Sequence, residues 1–431
     1  MPRARLTRWL GTPSRIAAVL FLLNVFFVSI SLLGAFKSIG SGYGQELMNN
    51  LAHNPFIGLL LGIFITSVIQ SSSTTTSLVV GLVAGGALGS TPAEAIELAI
   101  PIIMGSNIGT SVTNTIVSLT HIGRPAEFKR AFSAAIVHDF FNILAVIIFF
   151  PLQYFTNFLG KSAGFLSGLL AGSGGAKFSS PLKALVHPQT TFLKGMMEND
   201  FFIRLVIYAA IVYAILHLMN LMIQRARKEA ETGALVAAAA LLFGALFAAA
   251  QVYEDIVFHS SMGTFVLALA LLFVSMAFFV RIMRGLVVGS AERLFHHYVF
   301  RTPLISMFFG LLVTALVQSS SVTTSIIIPL AGAGIINIRQ VFPYTLGANV
   351  GTTVTALLAA LSSGDVSALT VALAHFLFNV FGITLLYPLR GLPIRLAEWF
   401  ADLAIRNRAI PIAFILGLYI VVPFLLIVLV R

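Results

Sequence analysis

Two apolar stretches, 55–88 and 304–335, are each interrupted midway by the same polar run. The first carries Gln70-Ser71-Ser72-Ser73-Thr74-Thr75-Thr76-Ser77, the second Gln318-Ser319-Ser320-Ser321-Val322-Thr323-Thr324-Ser325, and neither stretch holds a charged residue. Eight polar positions in a row in the first stretch, and seven of eight in the second, cannot be left bare. Each unpaired group in hydrocarbon costs several kcal/mol, so the run must face protein, water or a ligand. The rest of the chain supplies that setting. Of its 431 residues 58% are apolar and 10% charged, and the mean hydropathy is +0.98, against about 45–50% and about 25% in soluble domains. A soluble globular protein and a disordered chain are both excluded. What remains is a helical membrane protein with spans of about 20 apolar residues. With no Cys, disulfides, thiol chemistry and a Cys-based metal site are excluded as well.

The polar run belongs to a longer internal repeat. Gly62 to Ser77 matches Gly310 to Ser325, and Pro101 to Thr113 (Gly105-Ser106-Asn107-Ile108-Gly109-Thr110 at its centre) matches Pro343 to Thr355 (Gly347-Ala348-Asn349-Val350-Gly351-Thr352). A third block pairs His138, Asn142 and Pro151 with His375, Asn379 and Pro388. The offsets drift slowly, 248, 242 and 237 residues, as expected of a duplication.

Full spans read as 16–36, 95–119, 132–155, 201–222, 234–251, 262–280, 341–361, 367–389 and 410–430. The basic N-terminus with its long apolar run reads as a retained first helix rather than a signal peptide. If the two interrupted stretches return to the side they enter from, and the N-terminus is inside, 19 of the 26 basic residues fall on the inner side, as the positive-inside rule requires. The net charge of +11 then reports cytoplasmic loops near an anionic leaflet, with no nucleic-acid partner. Five full spans separate the two stretches, and an odd number reverses orientation. The expected fold is therefore an all-α polytopic membrane protein of about nine transmembrane helices plus two re-entrant helical hairpins, built as an inverted internal repeat. Its parts are the N-terminus and first span (1–54), repeat one (55–155), an outer loop with a flexible Gly/Ser-rich start (156–200), connecting spans (201–303), repeat two (304–390), and an inner amphipathic segment with the last span (391–431).

Ser hydroxyls beside a helix N-terminus donate hydrogen bonds, and the exposed N–H groups add partial positive charge, which suits a tetrahedral oxyanion such as phosphate. With no Lys or Arg in either hairpin, a bound dianion needs a mobile cation, and hydroxyl, amide and carbonyl oxygens suit Na+. The bland alternative is small residues for helix packing, with hydroxyls bonded back to their own helix. The Gly-x-x-x-Gly blocks are open in the same way, between close packing and a broken helix in which Thr110, Thr113, Thr352 and Thr355 offer ligands to Na+. Both can hold. His138 and His375 read as structural groups bonding across helices. Asp139, the one acid deep inside a span (Glu97 stands at the edge of its own), is a functional candidate by default, with pairing to Arg130 or Lys129 as its alternative.

The paired Gln-Ser-Ser-Ser, the paired Gly-[Ser/Ala]-Asn-[Ile/Val]-Gly-Thr and the His138-Asp139-Phe140-Phe141-Asn142 run resemble the sodium-dependent phosphate cotransporter family, its type II members and their bacterial relatives. The resemblance implies Na+-coupled uptake of inorganic phosphate by alternating access, with Na+ as coupling ion and no cofactor or transition metal. It implies that Ser71, Ser72, Ser73, Ser319, Ser320 and Ser321 contact phosphate. Asn107, Thr110 and Thr352 are assigned with them. Gln70, Thr74, Gln318, Thr323, Asn349, Thr113 and Thr355 are assigned to sodium. The implied partners are phosphate, Na+ and the lipid bilayer, and a homo-oligomer is compatible. Animal members carry a glycosylated, disulfide-bonded outer loop; the absence of Cys and of an Asn-x-Ser/Thr sequon here points to a bacterial inner membrane, with the N-terminus cytoplasmic. Val322 stands where repeat one has Thr74, so the half-sites are unequal. Alternatives are transport of sulfate, arsenate or a carboxylate, a channel, and an intramembrane hydrolase. The hydrolase would need one Ser beside one base, whereas these features come in pairs, so the chain is read as no enzyme.

Overall fold

The computed structural model describes residues 12–33, 54–171, 186–193, 268–269, 271–272, 275 and 299–429. The expected spans 201–222 and 234–251, and most of 262–280, lie outside the described residues. Those described form helices and no strand. In chain order they are α1 (Thr12–Leu32), α2 (Pro55–Ile69), α3 (Ser72–Ala84), α4 (Pro92–Thr110), α5 (Val112–Ser118), α6 (Pro125–Thr156) and α7 (Phe158–Ala171). Then come α8 (Pro303–Val317), α9 (Ser320–Gly332), α10 (Ile338–Ser363), α11 (Val366–Leu386), α12 (Gly391–Arg406), α13 (Ala409–Leu416) and α14 (Val422–Leu429), the last two joined by a π-helical turn, Gly417–Val421. The starts follow local chemistry: Pro opens α2, α4, α6 and α8, and Asn54, Thr91, Thr302 and Asp365 cap their helices through side-chain oxygens.

Five helical segments among the described residues are long and apolar enough to cross a membrane: Pro92–His121, Pro125–Thr156, Ile338–Ser363, Val366–Leu386 and Ala409–Leu429. The α2/α3 and α8/α9 pairs are different. Their 15- and 13-residue helices rise only about 22 Å and 20 Å, short of a hydrocarbon layer of about 30 Å. The chain breaks identically in both. Gln70 takes a left-handed conformation (φ 58°), then Ser71 is extended (φ −149°) and caps α3. Gln318 (φ 55°) and Ser319 (φ −152°) repeat this before α9.

The two Gly-x-x-x-Gly blocks turn out to be seams. A Cβ on Gly105 would strike the Leu59 carbonyl oxygen of α2, and one on Gly347 the Met307 carbonyl oxygen of α8. One turn further, Cβ atoms on Gly109 and Gly351 would lie 2.7 Å and 2.6 Å from the Ile63 and Leu311 oxygens. Gly62 and Gly310 face the reverse way, against the Ile102 and Tyr344 carbonyls. Backbones this close need glycine on both sides. A helix break accompanies the seam in the first half only. The ladder is interrupted at Ser111, between α4 and α5, whereas α10 runs unbroken through Gly347 and Thr355.

Two readings need correction. The start of the expected outer loop is helix α7, which packs along α11 and joins it through Ser167 and Thr370 (2.7 Å). Within that stretch Ser167 bonds across to α11, while Gly164 and Gly168 face open space. The span expected at 132–155 begins earlier, at Pro125, because Pro at the first position starts a helix readily. Gly347→Val should lower the thermal midpoint in detergent through an overpacking cost of about 1–3 kcal/mol, while Gly164→Ala, with nothing within 4 Å of the added Cβ, should leave it unchanged or raise it.

Candidate functional site

The two helix breaks meet. Ser321 Oγ, in the first turn of α9, lies 3.4 Å from the Gln70 carbonyl oxygen at the end of α2, although 251 residues separate them. Two helix N-termini, each opened by Ser-Ser-Ser, therefore share one buried region. Ser71 Oγ accepts from the Thr74 N–H at 3.2 Å and Ser319 Oγ from the Val322 N–H at 3.3 Å. Ser72, Ser73, Ser320 and Ser321 are all buried. Gln70 is exposed while Gln318 is buried, so the halves differ in exposure as well as in sequence. A residue other than Gly in the left-handed region is uncommon. Of the three among the described residues, two are Gln70 and Gln318. Glycine would serve the turn better. The side chain must have its own use.

Several buried polar atoms here have no hydrogen-bond partner: Ser73 Oγ, Ser77 Oγ, Thr66 Oγ1, Thr113 Oγ1, Gln318 Oε1 and Thr355 Oγ1. Buried polar groups are normally paired, so these unpaired oxygens within and beside the broken helices mark the candidate site. Other candidates are already engaged. Thr110 and Thr352 hydroxyls donate to the Ser106 and Ala348 carbonyls, 2.8 Å and 3.0 Å away in their own helices. Thr74 Oγ1 pairs with Ser71 Oγ (2.8 Å), and Thr323 Oγ1 with Thr314 Oγ1 (2.7 Å).

The asparagines form a bridge between the halves. His138 Nε2 donates to Asn349 Oδ1 (2.6 Å), Asn349 Nδ2 donates to Asn142 Oδ1 (2.9 Å), and Asn142 Nδ2 donates to the Asn107 carbonyl (2.8 Å). Helix α6 thereby ties the Gly-block of α10 to that of α4. The Asn349 side chain is consumed by this chain of bonds, and the Asn107 amide donates to Ile103 O of its own helix at 3.3 Å. His138 has the cross-helix role expected of it. Its repeat partner His375 does not: neither ring nitrogen is bonded, nor is Asn379 Oδ1.

Asp139 is fully buried and is held by Tyr419 Oη and by Thr115 Oγ1 (3.2 Å). Pairing with Arg130 or Lys129 does not occur, since Lys129 binds Asp402 and Arg130 donates to Gly332 O at 2.9 Å. The expected set also missed Thr66, Ser77, Asn114 and Tyr419. Thr66 carried a signal, standing opposite Thr314 in the aligned repeat. Asn114, which accepts from Thr324 Oγ1 of α9 at 2.9 Å, has no counterpart at Ala356, and Tyr419 lies 280 residues from Asp139.

The model of the Na+/Pi-cotransporter family matches residues 19–172 and 271–387. The sodium-dependent phosphate transport protein 2A of Rattus norvegicus is 34% identical over 434 residues, covering 95% of this chain and 67% of its own length. The 2A protein of Ovis aries is 34% identical over 443 residues, covering 95% and 66%. The 2B protein of Homo sapiens is 30% identical over 460 residues, covering 95% and 64%. The chain thus spans about two thirds of the length of these mammalian relatives, which lend no support to a bacterial origin. No solved structure matches the chain.

Asn142→Ala strands two buried partners, Asn349 Nδ2 and the Asn107 carbonyl, and should cost about 1–3 kcal/mol of stability. Asn379→Ala, which removes only a bond to the His375 carbonyl, should cost less, as thermal midpoints of the two variants will show.

Proposed function

The chain belongs to the Na+/Pi-cotransporter family, and from that premise we propose that it is a membrane transporter, not an enzyme, that couples inward Na+ movement to uptake of inorganic phosphate. The observation that carries this is the contact of Ser321 with the Gln70 carbonyl, which joins two Ser-opened helix N-termini in one buried region. Helix N-termini and hydroxyls stabilise an oxyanion. Neither broken stretch supplies a fixed positive charge, so the cation must arrive with the substrate. Na+ is the coupling ion and no cofactor takes part.

In this reading α2/α3 and α8/α9 are re-entrant hairpins of an inverted repeat within about nine spans, the N-terminus is cytoplasmic, and the site is exposed alternately to each side. Ser71, Ser72, Ser73, Ser319, Ser320 and Ser321 bind phosphate. Na+ is held by oxygens left free around them, with Gln318, Thr113 and Thr355 the best placed of the sodium candidates and Thr66 an addition to them. Asn349 acts in the bridge rather than as a side-chain ligand. Other tetrahedral oxyanions present the same chemistry, and sulfate and arsenate belong in the assay as competitors.

Labelled phosphate uptake into proteoliposomes tests the proposal. An inward Na+ gradient should drive saturable accumulation that an equal K+ gradient does not, and no difference between the ions would sink the coupling. Ser73→Ala and Ser321→Ala should each raise the KM for phosphate about 10-fold or more, since a hydrogen bond to a charged ligand contributes about 1.5–3 kcal/mol. A loss confined to one half would argue against a shared site.

A further inference from the structure

Helix α12 (Gly391–Arg406) has two unlike faces. Pro393, Ile394, Ala397, Ala401 and Ala404 are buried where the helix packs across the N-terminal half of α6, with Phe400 against Phe132 and Asp402 bonded to Lys129. On the opposite face, at three- and four-residue spacing, stand Leu392, Arg395, Leu396, Trp399, Leu403 and Arg406. Trp399 is 58% exposed and Leu392 46%. Arg395 and Arg406 are exposed beside them, and Arg390 and Arg408 flank the helix ends. The acids here do not balance these charges: Asp402 is already paired with Lys129, which leaves Glu398. The next helices, α13 and α14, turn Ile412, Leu416, Phe424 and Leu425 outward, so an exposed apolar surface follows this helix directly in the chain.

We propose that the exposed Trp399–Leu392 face of α12, with Arg395 and Arg406, is an interfacial surface that binds anionic phospholipid headgroups. A Trp and Leu ridge beside arginines is the pattern of a helix lying at the acyl–headgroup boundary, where the ring sits in the interface and the guanidinium groups meet phosphate. Charge selects the lipid. An unpaired arginine excess beside an apolar belt suits an anionic leaflet and leaves a neutral lipid or an apolar protein face with uncompensated positive charge. The surface is separate from the substrate region and stands whether or not that assignment holds.

Tryptophan makes the test direct, because the chain has only Trp9 and Trp399. The Trp9→Phe protein is reconstituted into phosphatidylcholine vesicles containing a small fraction of brominated phosphatidylglycerol or brominated phosphatidylcholine. Trp399 emission should be quenched by both. The anionic lipid should be preferred about fivefold or more, the size expected when one or two arginines reach an anionic surface. Arg395→Gln with Arg406→Gln should erase the preference without changing the thermal midpoint. Equal quenching by the two lipids overturns the proposal. So does a Trp399 that no brominated lipid reaches, which would place a protein surface, such as a second copy of this chain, over it. The lipid comparison in the Trp9→Phe protein decides the matter even if the arginine variant fails to fold.

Discussion

A helix that stops within an apolar layer leaves its first N–H groups and last carbonyls without partners, and no solvent there will take them. This chain breaks a helix in that way twice, each time inside an apolar stretch. Gln70 and Gln318 end one helix in the left-handed conformation, and Ser71 and Ser319 begin the next by bonding the backbone with their own hydroxyls. The serines satisfy part of each exposed helix start, and Ser321 Oγ reaches across to the Gln70 carbonyl at the other break.

The approach of the breaks depends on glycine. Apolar helices in lipid gain little by burying apolar surface against each other, so association rests on close packing. Gly105 and Gly347 allow backbone contact with α2 and α8, and Gly62 and Gly310 allow it from the other side. These seams fix where each interrupted helix sits against its neighbour. The packing and site readings of the Gly-block are therefore two aspects of one arrangement. The block holds the interrupted helix in place, and in the first half the break at Ser111 adds the unpaired Thr113 hydroxyl.

The halves share a template but not a state. Thr314 and Thr323 bond each other, while Thr66 has no partner. His138 and Asn142 close a bridge to Asn349, while His375 and Asn379 leave theirs open. Val322 in place of a threonine and the unbroken α10 are sequence and backbone differences that accompany this.

The sequence by itself determined the class of protein, the duplication, the helices of both repeats and the two broken stretches. These are set by local rules: apolar run length, capping residues, proline at helix starts, and the cost of polar residues in an apolar layer. It also marked the serine runs, because a repeated polar cluster has few structural excuses. Only the tertiary structure decided which marked side chains stay free. A hydroxyl bonded back to its own helix, such as Thr110 or Thr352, reads in sequence like the unpaired Thr113 or Thr355. That the Asn349 side chain bonds His138 and Asn142, and that Tyr419 reaches Asp139, have no local sign in the sequence. Spacing along a chain constrains which residues share a helix face. Which polar atoms on that face go unpaired depends on helices hundreds of residues away, and packing alone brings those together.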